Sequence, residues 1–287
     1  MHSWEKFRSL RKPGKILLAG ALLAVAIVLV VAIVSRTLPQ ATASALPFDR
    51  PVHVTKLPLP RDPSNPQSKP MLSCYYFPHF MIKEIDSGGL GADQLSILSE
   101  TKDHQEPACR KDNSADEKVI DWEGDFIGVK GGFVFFEGGD ADTNGGMDFG
   151  VYSSGGTKLF EDIAGTNTTE GFRSIELLTP VAAKDHRITY NNGIELKYKR
   201  SYMAPCSLRA DEANCWKSIK QATGLTNASP PDCSSSYEAL EKTSQDKLGS
   251  DSDPTVIWYE IEVVLDDTTP VVRVSPASEV EACAAAV

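Results

Sequence analysis

The segment RITYNNGIELKYKRSY (187–202) decides the fold class. Asn192-Gly193 is a strong signal for a two-residue type I′ turn, and residues alternate in polarity on both sides of it. The apolar side chains of the second half share one face: Ile194, Leu196, Tyr198 and Tyr202. The polar side chains share the other: Lys197, Lys199 and Ser201. This alternation predicts a hairpin in an antiparallel sheet with one solvent-facing side.

Other segments along the chain have the composition of strands. Aromatic and β-branched runs bounded by Gly-rich or polar turns occupy 74–85, 94–98, 125–129, 133–137, 147–152, 157–162 and 173–178. A last hairpin is predicted from 255–265 and 271–274. Because the strands follow one another with little helix between them, we predict a mainly β domain, built as an antiparallel sandwich or barrel.

Helical signals are confined to a short region late in the chain. Residues 211–224 have acidic residues in the first turn and Gly224 at the end, as helices often do. Their apolar stripe is formed by Cys215, Trp216, Ile219 and Ala222. A weaker helix is predicted for 235–247. Cysteines flank this region, so the β domain is predicted to carry a small cysteine-flanked helical insert.

Six cysteines lie beyond the N-terminal region: Cys74, Cys109, Cys206, Cys215, Cys233 and Cys283. An even number in an exported domain predicts disulfide bonds. There is no C-x-x-C pair, which argues against a zinc ribbon or a thioredoxin-type motif. The spacing leaves the pairing open, but three cysteines close to the helical region predict at least one disulfide there.

Residues 16–34, ILLAGALLAVAIVLVVAIV, contain no charged side chain. At about 1.5 Å per residue, a helix of this length spans about 28 Å, close to the hydrocarbon thickness of a bilayer. Five basic residues precede it: Lys6, Arg8, Arg11, Lys12 and Lys15. The positive-inside rule therefore predicts a cytoplasmic tail (1–15), a transmembrane signal-anchor (16–35) and an extracytoplasmic remainder, facing the periplasm from a bacterial inner membrane.

Eight of the 18 prolines lie between residues 39 and 70. We predict a semi-rigid Pro-rich spacer over 36–70, followed by the extracytoplasmic β-rich domain at 71–287. The alternative for the Pro-rich segment is an irregular arm packed along the domain. Ala43-Ser44-Ala45 also fits a cleavage site, so secretion after cleavage near Ala45 is the alternative to anchoring.

The charge is unevenly distributed. The whole chain carries −10, of which the first 45 residues contribute +5, so the exported part carries −15. Such an acidic domain repels phosphate backbones, and nucleic acid is excluded as an expected partner.

The segment GDADTNGGMDFG (139–150) is the clearest candidate site. It follows the pattern D-x-D-x-N-G-x-x-D, in which alternate oxygen ligands and a glycine at the sixth position let the chain wrap around Ca²⁺. The candidate ligands are Asp140, Asp142, Asn144, Gly146 and Asp148. These nine residues resemble the calcium loops of EF-hands and of integrin-type propeller repeats. Val151 stands where an EF-hand has its bidentate Glu, and strands flank the loop, so the alternative is an acidic turn that binds no ion.

No catalytic motif stands out: the sequence has no G-x-S-x-G elbow, no P-loop, no dinucleotide fingerprint and no metal-type histidine spacing. We predict a binding or scaffolding domain for a protein or glycan partner, tethered to the membrane through residues 16–34, with calcium as its candidate cofactor. The alternative is an envelope hydrolase acting on glycan or peptide through carboxylates, for example Glu123 with Asp125 or Asp266 with Asp267. A carboxylate with a raised pKa would favour the enzyme.

Overall fold

The structure, a computed structural model, describes residues 48–100, 105–138, 146–165, 175–178, 193–227, 229–243, 254–266, 270–275 and 280–285. The chain divides into two units, Met1–Ser44 and Ala45–Val287, and all described residues belong to the second. The predicted tail (1–15) and signal-anchor (16–35) lie outside these residues. Within them, no helix has both the length and the hydropathy needed to cross a bilayer.

The first five strands form one antiparallel sheet, called sheet A, in which each strand pairs with the next. They are β1 (His53–Pro58), β2 (Met71–Phe77), β3 (Phe80–Asp86), β4 (Gln94–Ser99) and β5 (Glu117–Ile120). The turn after β3 is closed by Asp86, whose Oδ1 accepts a hydrogen bond of 2.6 Å from the Gly88 backbone N–H. Strands that follow one another in the sequence are thus neighbours in sheet A, as consecutive elements usually are.

The remaining nine strands form sheet B, which is antiparallel as well. They are β6 (Gly124–Lys130), β7 (Phe133–Gly138), β8 (Met147–Ser153), β9 (Lys158–Ala164), β10 (Glu176–Leu178), β11 (Ile194–Met203), β12 (Thr255–Leu265), β13 (Val271–Val274) and β14 (Val280–Ala285). The order is β13-β12-β11-β9-β8-β7-β6, with β10 paired to β11 and β14 to β12. The predicted mainly β, antiparallel class is confirmed.

Strand β11 is the second half of the hairpin predicted over 187–202; its first half, 187–192, lies outside the described residues. The alternation is as predicted from Leu196 to Lys199, since Leu196 and Tyr198 are buried whereas Lys199 is exposed. Ser201, predicted on the polar face, is instead buried, and its Oγ accepts the Trp258 Nε1–H at 3.2 Å. Its partner in the described structure is β12, with Ile194 opposite Leu265.

Two helices follow β11: α1 (Glu212–Thr223) and α2 (Ser234–Thr243). Helix α1 begins at Asp211, whose side chain accepts a hydrogen bond from the Asn214 backbone N–H. It ends at Gly224, which is left-handed at φ 79° and donates its N–H to the Lys220 carbonyl. The helix predicted over 211–224 is therefore present.

Two disulfides join described cysteines: Cys74 with Cys109, and Cys206 with Cys215. The second fixes the start of α1 to the end of β11, as the spacing near the helical region predicted. Cys233 is also disulfide-bonded. The side chain of Cys283, on β14, lies outside the described part of the structure.

The two sheets pack face to face through a shared apolar cluster. In β7, Val134 and Phe136 point toward sheet A and contact residues such as Ile82 and Leu95. The alternate residues of β7 point to the opposite face, where α1 and α2 cover sheet B. Sheet B is therefore buried on both faces around β7, and β7 is apolar at four consecutive positions.

The domain includes part of the segment predicted to be a spacer. Residues 53–58 form β1, paired with β2. The Phe48 ring lies 5.5 Å from that of Phe135, and the Asp49 N–H donates to the Val129 carbonyl at 2.7 Å. The described part of the predicted spacer (48–70) thus contributes a strand and packing contacts to the β strands.

Candidate functional site

A cavity of about 670 Å³ lies beside the starts of α1 and α2. It is lined by Leu208, Arg209, Glu212, Ser229, Pro230, Pro231, Asp232, Cys233, Ser234, Tyr237 and Glu238. Its volume falls within the range of about 300–1,000 Å³ that is typical of small-ligand sites. We therefore take it as the candidate binding site.

Thr255, at the start of β12, holds the walls of this cavity together. Its buried Oγ1 accepts the Leu208 backbone N–H at 2.9 Å and shares a hydrogen bond of 3.0 Å with the Tyr237 hydroxyl. The Cys206–Cys215 disulfide ties the same loop to α1. Sheet B, α1 and α2 thus meet at one point, and the cavity walls are fixed by buried bonds.

The polar groups of the cavity carry both signs of charge. The guanidinium of Arg209 lies 5.7 Å from the centre of the Tyr237 ring, a cation–π distance. Three carboxylates also line the cavity: Glu212, Asp232 and Glu238. Asp232 accepts the Ser234 N–H at 3.0 Å, and its hydrogen bonds with Ser234 lower its pKa. The cavity therefore offers donors and acceptors beside an apolar wall of prolines.

A second group of titratable residues lies between the two sheets. Glu84, on β3, accepts a hydrogen bond of 3.3 Å from the Phe126 N–H of β6. Burial raises the pKa of Glu84; Asp125 and Asp86 raise it further, while the Phe126 hydrogen bond and Lys56 oppose the shift. Burial and the charge of Asp86 also raise the pKa of Asp125. A raised pKa favours an enzyme when the carboxylate lies in a cleft, and neither Glu84 nor Asp125 is among the residues that line the cavity beside α1 and α2.

Glu84→Gln is expected to raise the free energy of unfolding at neutral pH, because burial makes the ionised carboxylate unfavourable in the folded state. The raised native pKa means that the folded protein binds the proton more tightly than the unfolded chain. Stability therefore falls as pH rises from the unfolded pKa through the native pKa, and ionised Glu84 is a net cost above it. Glutamine keeps an acceptor for Phe126 and removes that cost. Thermal melts at pH 7 and at about pH 4 should show a gain only at pH 7; equal gains would contradict this assignment.

A third polar group joins β9 to β11, which share a single described register pair, Arg200 with Ala164. Asp162 accepts hydrogen bonds from the Tyr198 hydroxyl and from Arg200 Nε, the latter at 2.7 Å. Burial opposes the charge of Arg200, but Asp162 outweighs it and raises the pKa of Arg200. This network strengthens the pairing of two strands inside the core.

The predicted calcium ligands fall mostly outside the described residues. Asp140, Asp142 and Asn144 lie outside the described residues, whereas Gly146 and Asp148 lie within them. Gly146 packs tightly against β9, since a Cβ there would lie 2.6 Å from the Ala164 carbonyl oxygen. Asp148 lies on β8 opposite Ile163. Among the described residues, no three His, Cys, Asp or Glu side chains converge as metal ligands.

The acid pairs proposed for a hydrolase are not the residues that line the cavity. Glu123 and Asp125 flank the start of β6, and burial raises the pKa of Asp125. Asp266 follows β12, and Asp267 lies outside the described residues. Sequence analysis did not identify Arg209 and Tyr237, because their proximity depends on the packing of α2 against Thr255.

Comparison with known proteins gives no relative: the chain matches no family model, no curated protein and no solved structure.

Proposed function

We propose that this chain is a binding domain, tethered through residues 16–34 and facing the extracytoplasmic side, and that it binds its ligand in the cavity beside α1 and α2. The observation that supports the proposal is the cavity of about 670 Å³ itself. Its walls are held by Thr255 and by the Cys206–Cys215 disulfide. A site with pre-fixed walls loses less conformational freedom when a ligand binds.

The lining indicates the kind of ligand. Arg209 supplies a guanidinium donor, and the three carboxylates supply acceptors. Pro230 and Pro231 add apolar surface without a backbone donor. This combination suits a ligand with many hydroxyl or amide groups and some apolar surface, such as an oligosaccharide or a peptide.

The test uses the full-length chain in detergent with two probes, oligomers of N-acetylglucosamine and a mixture of tripeptides. A thermal shift identifies the class that binds, and calorimetry then gives its Kd. Arg209→Ala is expected to weaken binding by about 1.5–3 kcal/mol, which is roughly tenfold or more. Lys217→Ala, on α1 but outside the cavity lining, is the matched control. Binding that is unchanged by Arg209→Ala, or no binding of either class, would overturn the proposal.

Calcium at residues 140–148 is the proposed cofactor. The supporting observation is the ligand pattern, which ends at Asp148 on β8. An ion there would tie the loop to sheet B. Millimolar calcium should raise the melting temperature of the wild type and not that of Asp142→Ala. An equal response of the two proteins would reject the site.

A hydrolase that acts on glycan or peptide through carboxylates is the second candidate. It is favoured by the raised pKa values of Glu84 and Asp125, because a general acid must keep its proton near the working pH. Aryl glycosides and casein are suitable substrates for a first assay. Turnover that is lost in Glu84→Gln would support this candidate, and turnover that persists in Glu84→Gln would exclude Glu84 as its acid.

A further inference from the structure

Residues 105–116 form a strap that crosses the outer face of sheet A, on the side away from sheet B. None of its twelve residues is buried, and only Pro107, Cys109 and Ser114 are half-buried. It therefore gains little from apolar burial and depends on individual bonds. Segments of this kind open locally at low cost.

Individual bonds attach the strap to several strands of sheet A. At β1, Glu106 Oε2 lies 3.8 Å from His53 Nε2, and at β4, Gln94 Nε2 donates to Asn113 Oδ1 at 2.9 Å. The Cys74–Cys109 disulfide attaches its first half to β2. Next to it, the Tyr76 hydroxyl donates to the Pro107 carbonyl at 3.1 Å. The second half is attached through Lys83 on β3, whose Nζ lies 3.1 Å from Asn113 Oδ1 and 3.5 Å from the Lys111 carbonyl. Of these attachments, only the disulfide is covalent.

The strap covers the Lys83 ammonium. Only 1% of this side chain is exposed. Its three donors point to two strap groups and to Glu117 Oε1, which lies 2.6 Å away at the start of β5, in sheet A itself. Around it lies an apolar cluster that includes Leu72, Met81 and Ile85. Removing the strap would leave the Lys83–Glu117 pair in place and open the Lys83 ammonium to solvent on the side that the strap covers.

We propose that the Cys74–Cys109 disulfide is a redox latch: its reduction by a dithiol releases the strap and exposes Lys83 while the two sheets stay folded. A thiolate of the dithiol attacks Cys109 Sγ, since Cys109 is half-buried whereas Cys74 is fully buried. The S–S bond breaks, and the electron pair leaves with the Cys74 sulfur, which takes a proton. The second thiol then displaces Cys109 as a thiol, and the dithiol becomes a disulfide.

The two disulfides that join described cysteines differ in what they hold. Cys74–Cys109 joins residues 35 apart and ends in an exposed strap, whereas Cys206–Cys215 joins residues 9 apart. Cys215 is buried in the core of sheet B and α1 and keeps its apolar contacts when reduced. Local release is therefore expected at the first disulfide.

The test treats the full-length chain with dithiothreitol and then briefly with an acetylating reagent. Peptide mass spectrometry measures the acetylation rate of each lysine. Lys83 is expected to react at least about tenfold faster after reduction, because opening of the strap controls its access. Exposed Lys118 should change by less than about twofold, since its access needs no opening. Hydrogen exchange should rise in 105–116 and stay unchanged in β12.

Two variants show which disulfide controls the acetylation of Lys83. Cys206→Ala/Cys215→Ala retains the latch, so its Lys83 should still respond to dithiothreitol. Cys74→Ala/Cys109→Ala lacks the latch, so its Lys83 should react fast without reductant and show no further response. The proposal is overturned if Lys83 stays protected once alkylation shows that Cys109 is reduced. It is also overturned if β12 loses its protection together with the strap, because the protein then unfolds as a whole.

Discussion

Glu117→Gln is expected to lower the free energy of unfolding by about 3–5 kcal/mol, because it leaves a buried ammonium without its counter-charge. The Glu117 carboxylate lies 2.6 Å from Lys83 Nζ, and each side chain is only 1% exposed. Gln94 and Ser114 also donate to this carboxylate. In a domain of this size, such a loss lowers Tm by roughly 6–20 °C, which thermal unfolding would measure.

The exposed pair of Lys158 and Glu161 provides the matched control. Its atoms lie 2.8 Å apart, but the side chains are 43% and 54% exposed. Glu161→Gln should therefore cost less than about 1 kcal/mol. The double variant Lys83→Met/Glu117→Gln should regain much of the stability lost in Glu117→Gln, because no buried charge is left unpaired. Equal losses for Glu117→Gln and Glu161→Gln would show that burial does not determine the strength of the Lys83 pair.

The stability contributed by the Lys83–Glu117 pair is expected to depend on pH. Burial alone would raise the pKa of Glu117, but hydrogen bonds from Lys83, Ser96 and Ser114 outweigh burial and lower it. The contribution of ionised Glu117 is therefore fully present above the pKa of the unfolded chain, about 4.3, and is lost as pH falls through the lower native value. The difference in stability between the wild type and Glu117→Gln should narrow over that window, which unfolding curves at successive pH values would show.

Sequence patterns predicted the elements that depend on residues close together in the chain. The alternation around Tyr198 and Lys199 gave the faces of β11, and the acidic start and Gly224 gave the ends of α1. The described part of the Pro-rich segment contains one strand, β1; Pro51 precedes it and Pro58 ends it. A strand at the edge of a sheet tolerates proline there, since one side of its backbone needs no ladder partner.

Long-range contacts were beyond the reach of sequence patterns. Lys83 lies between Ile82 and Glu84 in β3, where alternation suggests a solvated lysine, yet Glu117 at the start of β5 pairs with it in the core. Arg200 breaks the apolar face of β11, and Asp162 neutralises it from β9. The cavity likewise depends on Thr255 meeting Tyr237. In each case, a polar residue on one strand contacts a partner that is distant in the sequence, so its role is visible only in the folded structure.

Phe136→Ala is expected to lower the free energy of unfolding by about 3–5 kcal/mol, the second large effect. Phe136 has no exposed surface and lies in the cluster shared by the two sheets. Its ring centre lies 5.4 Å from that of Tyr152 and 6.1 Å from that of Phe126, both in edge-on geometry. Each aromatic pair adds about 0.5–1.5 kcal/mol beyond area burial, which places the loss in the upper part of the range.

The control variants show whether the lost energy belongs to the contact between the sheets. Phe136→Leu fills most of the volume and should cost clearly less than Phe136→Ala. Leu90→Ala removes a side chain that is 80% exposed and should change stability by less than about 0.5 kcal/mol. Urea unfolding gives all three values. If Phe136→Ala cost no more than Leu90→Ala, the sheets would have to be held together by other contacts, such as the Ala92–Gly124 bridge and the Phe126–Glu84 hydrogen bond. If the large loss is found, the apolar cluster is the main link between the sheet that carries the strap and the sheet that carries the cavity.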